Sequence, residues 1–212
     1  MTAAPFTIGT QKTELHVDPA EVQAMFVRDR ALIFDNPFAR DTLSMLMARA
    51  AATTFVDDHV EQIGNREVEA PQRVGGMLSL ILARQSFLEW IEKATGKRPV
   101  RAVVGRLVQT GREAAQELGW HNDLDRAHRL LGVVINLSDQ ELGGGAFELR
   151  ELGSDAPFLS YRHETPGSMM VFPVDPALEH RVTQVTSGGP RRVYAGWFVS
   201  EPEHGGYLHG AS

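Results

Sequence analysis

The chain contains no cysteine. Disulfides, thiolate metal sites and cysteine nucleophiles are therefore excluded, and any bound metal must be held by His, Asp, Glu or backbone oxygen. A chain without cysteine suits a reducing compartment. No apolar run is long enough to predict a membrane-spanning helix. The opening MTAAPFTIGT lacks a basic stretch followed by an apolar one, so no secretory leader is expected, and the expected location is cytoplasmic. Positive charge is in deficit: 21 Lys and Arg stand against 27 Asp and Glu, a net charge of -6. That balance argues against general affinity for nucleic-acid backbones, which needs clustered cations. Internal repeats and low-complexity stretches are absent too. Gly143-Gly144-Gly145 is not followed by Lys-Ser/Thr, so it predicts a β-turn rather than a phosphate cradle.

What is present fits one domain over residues 1–212, with 42% apolar and 23% charged residues. Residues 1–98 read as a mostly helical support region. Asp18-Pro19 predicts a capped helix over Ala20–Arg30. The apolar stretch 31–38 predicts a strand entering a turn. Asp41 is the expected cap of a second helix reaching Ala52, and Met77–Ala94 reads as one longer helix closed by Gly96 and Pro99. After Pro99 the texture changes to short Val-, Phe-, Tyr- and Leu-rich stretches separated by Gly, Pro, Asp and Ser, the pattern of a β sandwich. The predicted class is mainly β with flanking helices: a jelly roll (double-stranded β-helix) over 99–200 packed against N-terminal helices, with a flexible tail over 201–212.

The chemistry concentrates in W-H-N-D at 120–123 and, far downstream, E-H-R-V at 179–182 followed by R-R-V-Y-A-G-W-F at 191–198. In extended chain, residues two apart share a face, so His121 and Asp123 can reach one ion while Asn122 points away. His180 arrives from another strand. Two imidazoles and one carboxylate with open positions suit non-haem Fe(II), with zinc as the competing occupant. An isolated H-x-D is ordinarily just a hydrogen-bonded pair, and a lone histidine an ordinary core residue. The order of all three, with Arg191 behind them, carries the reading. Strand alternation puts Arg191, Val193, Ala195 and Trp197 on one face. An inward arginine needs a carboxylate partner, which a bound dicarboxylate supplies bidentately. The turn over Ser187–Pro190 predicts that His180 and Arg191 lie side by side in one tight hairpin. The other histidines read as bland: His16 and His59 solvated, His128 in a loop, His163 in an outer strand or turn, His204 and His209 in the tail. Trp120 and Trp197 read as core or pocket wall, and Arg106, Arg112 and Arg150 as candidates for an entrance.

H-x-D, then H-x-V, then an arginine leading into a terminal aromatic strand resembles the Fe(II)/2-oxoglutarate-dependent dioxygenases, in particular their prolyl-4-hydroxylase-like branch. The similarity runs from about Arg101 to Phe198. It includes INLSDQELGGGAFELRE, which resembles the branch's strand, glycine turn and strand, and PGSMMVFP, which resembles the strand leading to the distal histidine. The resemblance implies Fe(II) held by His121, Asp123 and His180, with these residues catalytic, 2-oxoglutarate as co-substrate and O2 as oxidant. Ascorbate is a possible stimulant. It implies Arg191 on the distal carboxylate of 2-oxoglutarate, chosen over Arg192 because it lies six positions before Trp197 and shares its face. Asn136 falls where relatives use a polar residue, often tyrosine, beside that carboxylate. Asp123 departs from related halogenases, which have a small residue there, so the implied outcome is hydroxylation of an unactivated C–H bond with release of succinate and CO2. The implied substrate is an amino acid, a peptidyl residue or a small metabolite. The competing readings are a non-catalytic jelly-roll binding protein, a cupin-type metalloenzyme independent of 2-oxoglutarate, and a nucleic-acid demethylase. The last is disfavoured because the final strand lacks the second arginine of R-x-N-x-T-x-x-R.

Overall fold

The structure, a computed structural model, describes residues 4–60, 63–112, 118–126 and 128–201. Its elements run β1 (Phe6–Ile8), β2 (Thr13–Leu15), α1 (Pro19–Asp29), β3 (Leu32–Phe34), α2 (Arg40–Ala51), β4 (Phe55–Val60), β5 (Gly64–Glu69), α3 (Val74–Leu82), α4 (Gln85–Thr95), β6 (Ala102–Thr110), β7 (Leu118–His121), β8 (Arg129–Asn136), β9 (Leu142–Gly144), β10 (Phe147–Glu151), β11 (Leu159–Tyr161), β12 (Met169–Pro173), β13 (Leu178–Val182), β14 (Val185–Gly188) and β15 (Arg191–Val199). The expected tail lies outside the described residues from 202 onward.

The helices start and stop for local reasons. Asp18 accepts a hydrogen bond from the Ala20 N–H at 2.9 Å, as its position before Pro19 predicts. The second helix departs from expectation: it begins at Arg40, and Asp41 sits inside its first turn rather than capping it. The predicted single helix Met77–Ala94 is two helices, α3 and α4, broken at Ala83-Arg84. The break has a cause that periodicity does not carry. Arg84 is extended (φ -65, ψ 132), and its guanidinium donates to the carbonyls of Gly9 and Thr10 and to Thr13 Oγ1. Swung out this way, α4 lays Phe87 and Trp90 edge-on against Phe6, at centroid distances of 4.9 and 5.0 Å. Each such pair adds ~0.5–1.5 kcal/mol beyond area burial. Gly96 at φ 69 ends α4 as expected.

A seven-stranded sheet, in the order β3-β12-β8-β15-β6-β5-β4, faces a four-stranded sheet, β11-β10-β13-β7. Every printed pairing in them is antiparallel. Strand alternation divides the core in two. Val103, Leu107, Leu131, Val133, Ile135, Tyr194 and Phe198 face the helices, with Leu78, Leu82, Phe87 and Ile91. Val108, Val134, Met170, Phe172 and Val193 face the smaller sheet, with Phe147, Leu149, Leu178 and Val182. The mainly β jelly roll with helices on its outer face is therefore the architecture. The N-terminal part also holds strands that the helical reading leaves out. β4 and β5 form a hairpin that extends the edge of the larger sheet. Their sequences, FVDDHV and GNREVE, are too charged to signal strands, because an edge hairpin buries little of either face.

Candidate metal centre

β7 and β13 pair so that His121 stands directly across from His180. The chain leaves β7 after His121, and Asp123 falls in the bend that follows. The three side chains offer one ligand atom each within 4.8 Å of one another; among the described residues they are the group of His, Asp and Glu that can share an ion. His121 Nε2 lies 3.9 Å from Asp123 Oδ1, and His180 Nε2 lies 3.4 Å from Asp123 Oδ2. Donors ~2.0–2.2 Å from a common ion stand about this far apart.

The surroundings prepare each donor. His121 Nδ1 donates to the Gly119 carbonyl at 2.7 Å, which leaves the Nε2 lone pair free for a metal. His180 is buried between Phe147 and Phe172, at ring distances of 5.3 and 5.0 Å. Burial lowers its pKa to about 4, against the pull of Asp123, so the imidazole is neutral at neutral pH. Burial alone pushes the Asp123 carboxyl upward, but His180, His121, the Trp197 hydrogen bond and Arg129 outweigh it and hold the group below its ordinary range. The Trp197 indole N–H donates to Asp123 Oδ2 at 2.8 Å. Arg129 lies 3.7 Å above the Trp197 ring, 3.7 Å from Asp123 Oδ1 and 2.7 Å from Asp125 Oδ1. Two imidazoles and one ionised carboxylate, without thiolate, are the donor set that suits Fe(II).

The centre opens into a cavity of ≈ 540 Å³ whose walls include Val108, Val134, Phe147, Phe172, Val193 and Ala195. Asn122, expected to point away, also lines it. Arg191 lines it as well, although only 4% exposed. Its Cδ lies 3.0 Å from where a Cβ on Gly145 would stand, so Gly145, at φ +64, leaves the guanidinium room. Among the described residues no hydrogen bond or ion pair holds that guanidinium. Burial lowers its pKa to about 10, which keeps it cationic at neutral pH. Arg192 faces the other way, donating to Gln109 Oε1 at 2.8 Å and lying 3.6 Å from Asp139.

The structure brings His121, Asp123, His180 and Arg191 to one cavity, though not by the expected hairpin. β13 belongs to the smaller sheet and β15 to the larger, so His180 and Arg191 meet across the sandwich. The intervening chain forms β14, which pairs with β9. The glycine clusters thus lie in and beside a small sheet, with Ser187 opposite Gly143, rather than forming simple turns. Asn136 does not line the cavity. Its Nδ2 donates to the carbonyls of His163 and Thr165 at 3.2 and 3.1 Å, and its Oδ1 accepts from Ser138 N–H.

Sequence reading missed His163. It is 5% exposed, with Nδ1 2.8 Å from Ser168 Oγ and Nε2 buried without a partner. Burial and the charge of Arg191 lower its pKa to about 3. No periodicity marks it, because it lies in irregular chain after β11. Of the entrance candidates, Arg106 lines the cavity, Arg112 lines a separate surface pocket, and Arg150 lies 4.0 Å over the Trp120 ring. Trp120 is held by Arg150 and Arg181 and does not line the cavity, while Trp197 lines it and donates to Asp123. His16 and His59 are exposed, as expected, and His204 and His209 lie outside the described residues.

Residues 106–199 match the family model of the 2OG-Fe(II) oxygenase superfamily. No curated protein matches the sequence. Among solved structures, the chain is similar to a 2OG-Fe(II) oxygenase family oxidoreductase from Burkholderia pseudomallei, with 16% identity and TM-score 0.63 over 86% of this chain and 91% of that one. It is similar to a Pseudomonas putida prolyl-4-hydroxylase at 16% identity and TM-score 0.63, over 85% of this chain and 98% of that one. It is also similar to a prolyl hydroxylase from Trichoplax adhaerens, in complex with a hypoxia inducible factor oxygen degradation domain peptide fragment, at 13% identity and TM-score 0.61 over 86% and 89%. At these identities the likeness is one of fold. Residues 106–199 thus match the 2OG-Fe(II) oxygenase superfamily in sequence, and the chain shares the fold of these solved structures; the match implies Fe(II), 2-oxoglutarate and O2 as the cofactor set.

Proposed function

We propose that the chain hydroxylates an unactivated C–H bond of an amino acid, a peptidyl residue or a small metabolite, releasing succinate and CO2. His121, Asp123 and His180 hold Fe(II). Bound there with 2-oxoglutarate, the metal supplies O2 activation coupled to oxidative decarboxylation of the keto acid. The observation that carries this reading is Arg191: a buried cation that lines the triad's cavity and has no anionic partner among the described residues. An unpaired buried guanidinium is costly, so the site gains when a carboxylate arrives to pair with it. A dicarboxylate long enough to reach both the metal and Arg191 fits that demand, and the guanidinium fork reads its distal end. The apolar walls, Val108, Val134, Phe147, Phe172 and Val193, exclude water from the space between. Trp197 orients Asp123, and Gly119 fixes the His121 tautomer. Asn136 acts at a distance by clasping the 163–165 segment. Ascorbate is expected to sustain turnover by keeping the metal ferrous.

The test supplies Fe(II), 2-oxoglutarate, O2 and ascorbate with a panel of amino acids, short peptides and metabolites. The expected result is succinate formed in step with a product one oxygen heavier. Equal activation by Zn(II), or no 2-oxoglutarate consumption with any panel member and no binding of it, overturns the reading.

A further inference from the structure

We infer that Arg66 and Arg106 bind the primary substrate, and that this substrate is a small free carboxylic acid with an aliphatic body. The inference rests on the proposed oxygenase reading and assigns its substrate class. On β6, Arg106 stands directly opposite Ala195 of β15, and Val104 directly opposite Trp197. Directly opposed residues share a sheet face, so Arg106 points to the cavity side, diagonal to Trp197 and ~7–8 Å from it. Trp197 is the residue that donates to Asp123. On β5, Val68 stands opposite Val108 and packs against the same inner core. Alternation then puts Arg66 on that face, and both arginines line the cavity. Asp58 of β4 lies directly across from Arg66.

One carboxylate oxygen serves both cations. Arg66 Nε donates to Asp58 Oδ2 at 2.9 Å, and Arg106 Nη1 lies 3.8 Å from the same oxygen, beyond hydrogen-bond reach. Among the described residues no other hydrogen bond or ion pair holds Arg66, so its Nη groups remain for a ligand. The two side chains are only 16% and 18% exposed, in a wall shared with Val108, Val193 and Ala195, where a cation gains strongly from an incoming anion. The other cations of the cavity are engaged elsewhere. Arg126 and Arg129 lie beside Asp125, at 3.9 and 2.7 Å. Arg191 precedes Ala195 by four residues, ~13 Å along the strand at ~3.3 Å per residue, so the co-substrate's anchor and this corner stand apart. Two guanidinium forks reaching from neighbouring strands match the two oxygens of one carboxylate. Val60 and Ile63, at the turn of the β4–β5 hairpin, and Leu118 also line the cavity, which suits an aliphatic body. Because the arginines lie in the cavity wall, the acid must enter it, as a small free molecule does.

The experiment is calorimetric titration of Fe(II)-loaded protein, without oxygen and with 2-oxoglutarate saturating so that Arg191 is already engaged. The probes are 4-methylpentanoate and 4-methylpentanamide, which share one body and differ in charge. The carboxylate is expected to bind roughly tenfold or more tighter than the amide, the value of hydrogen bonds to a charged group. Arg66→Gln and Arg106→Gln are each expected to remove that preference while 2-oxoglutarate affinity stays at the wild-type level. Arg106→Gln leaves the bond between Asp58 and Arg66 intact and so guards against a folding defect in the other variant. Asp58→Asn keeps an acceptor for Arg66 and deletes the competing charge, so it is expected to tighten carboxylate binding, where a merely structural role for this cluster predicts a loss. Equal binding of the two probes by wild-type protein, binding of neither, or a carboxylate preference that survives both arginine substitutions overturns the inference and leaves the oxygenase reading standing. Turnover that consumes 2-oxoglutarate only with substrates lacking a carboxylate does the same. Protein that binds no 2-oxoglutarate overturns the oxygenase reading, and this inference with it.

Discussion

At the scale of single residues the proposed centre rests on three donors, His121, Asp123 and His180. His121→Ala or Asp123→Ala is expected to abolish 2-oxoglutarate turnover while circular dichroism and the thermal midpoint stay near wild type, since each removes a ligand and not core packing; full activity in either rejects the ligand assignment. Arg191→Ala is expected to raise the 2-oxoglutarate requirement ~30-fold or more, the consequence of removing one side of a buried charge pair. Arg192→Ala, on the opposite face, is expected to change it little, and the reverse ranking moves the anchor to Arg192. Trp197→Phe keeps a ring beneath Arg129 but deletes the donor to Asp123. Loss of such a supporting bond costs ~10–100-fold in metal affinity or activity. Metal titration of the variant checks this.

The clustering of His121, Asp123 and His180 beside Arg191 was legible in the sequence because H-x-D, H-x-V and the downstream arginine are local patterns. The burial of His163 and Thr110 was not, because it comes from neighbours distant in the chain. Trp197 was placed correctly on the inner face by alternation, but its hydrogen bond depends on how the chain bends after His121.

At the scale of elements, two contacts fix the frame around the site. Glu69, buried at the end of β5, accepts the backbone N–H groups of Arg73, Val74 and Gly75 at 2.9, 2.6 and 2.9 Å. This carboxylate closes the open N-terminus of α3 and favours its dipole. Glu69→Ala is expected to cost ~1–3 kcal/mol in urea unfolding, with the slope unchanged. Gly132 on β8 lies opposite Phe172 on β12, whose ring covers the bare backbone so closely that an added Cβ would stand 2.1 Å from Cζ. Phe172 in turn packs on His180. Gly132→Ala is therefore expected to lose ~1–3 kcal/mol of stability by overpacking and to weaken metal binding as well. Unchanged metal affinity would separate the ring from the centre. Elements were readable where periodicity and caps agreed, as in α1 and β6. They were misread where a single long-range contact decided, as with Arg84 between α3 and α4, and where charge concealed an edge hairpin, as in β4 and β5.

At the scale of the whole molecule, burial of ionisable groups ties stability to pH. The His163 pKa is lowered to about 3 in the fold, against an ordinary value of 6.5. The unfolded chain therefore binds a proton that the folded one refuses, and stability falls as pH drops from 6.5 toward 3, by up to ~1.4 kcal/mol per pH unit for this one group. His163→Gln is expected to flatten that acid limb in urea unfolding of metal-free protein; an unchanged limb would show that His163 titrates freely. No described helix is long and apolar enough to cross a membrane. The jelly roll with helices outside was visible in the switch of texture after Pro99. The meeting of His180 and Arg191 across the sandwich was not, because chain order does not reveal which sheet a strand joins.

The most direct measurement is a crystal structure of the protein with Fe(II) and 2-oxoglutarate grown without oxygen. The account predicts one ion bound jointly by His121, Asp123 and His180, with the far carboxylate of the keto acid on Arg191. An ion held elsewhere, or a keto acid whose distal end leaves Arg191 untouched, would contradict it.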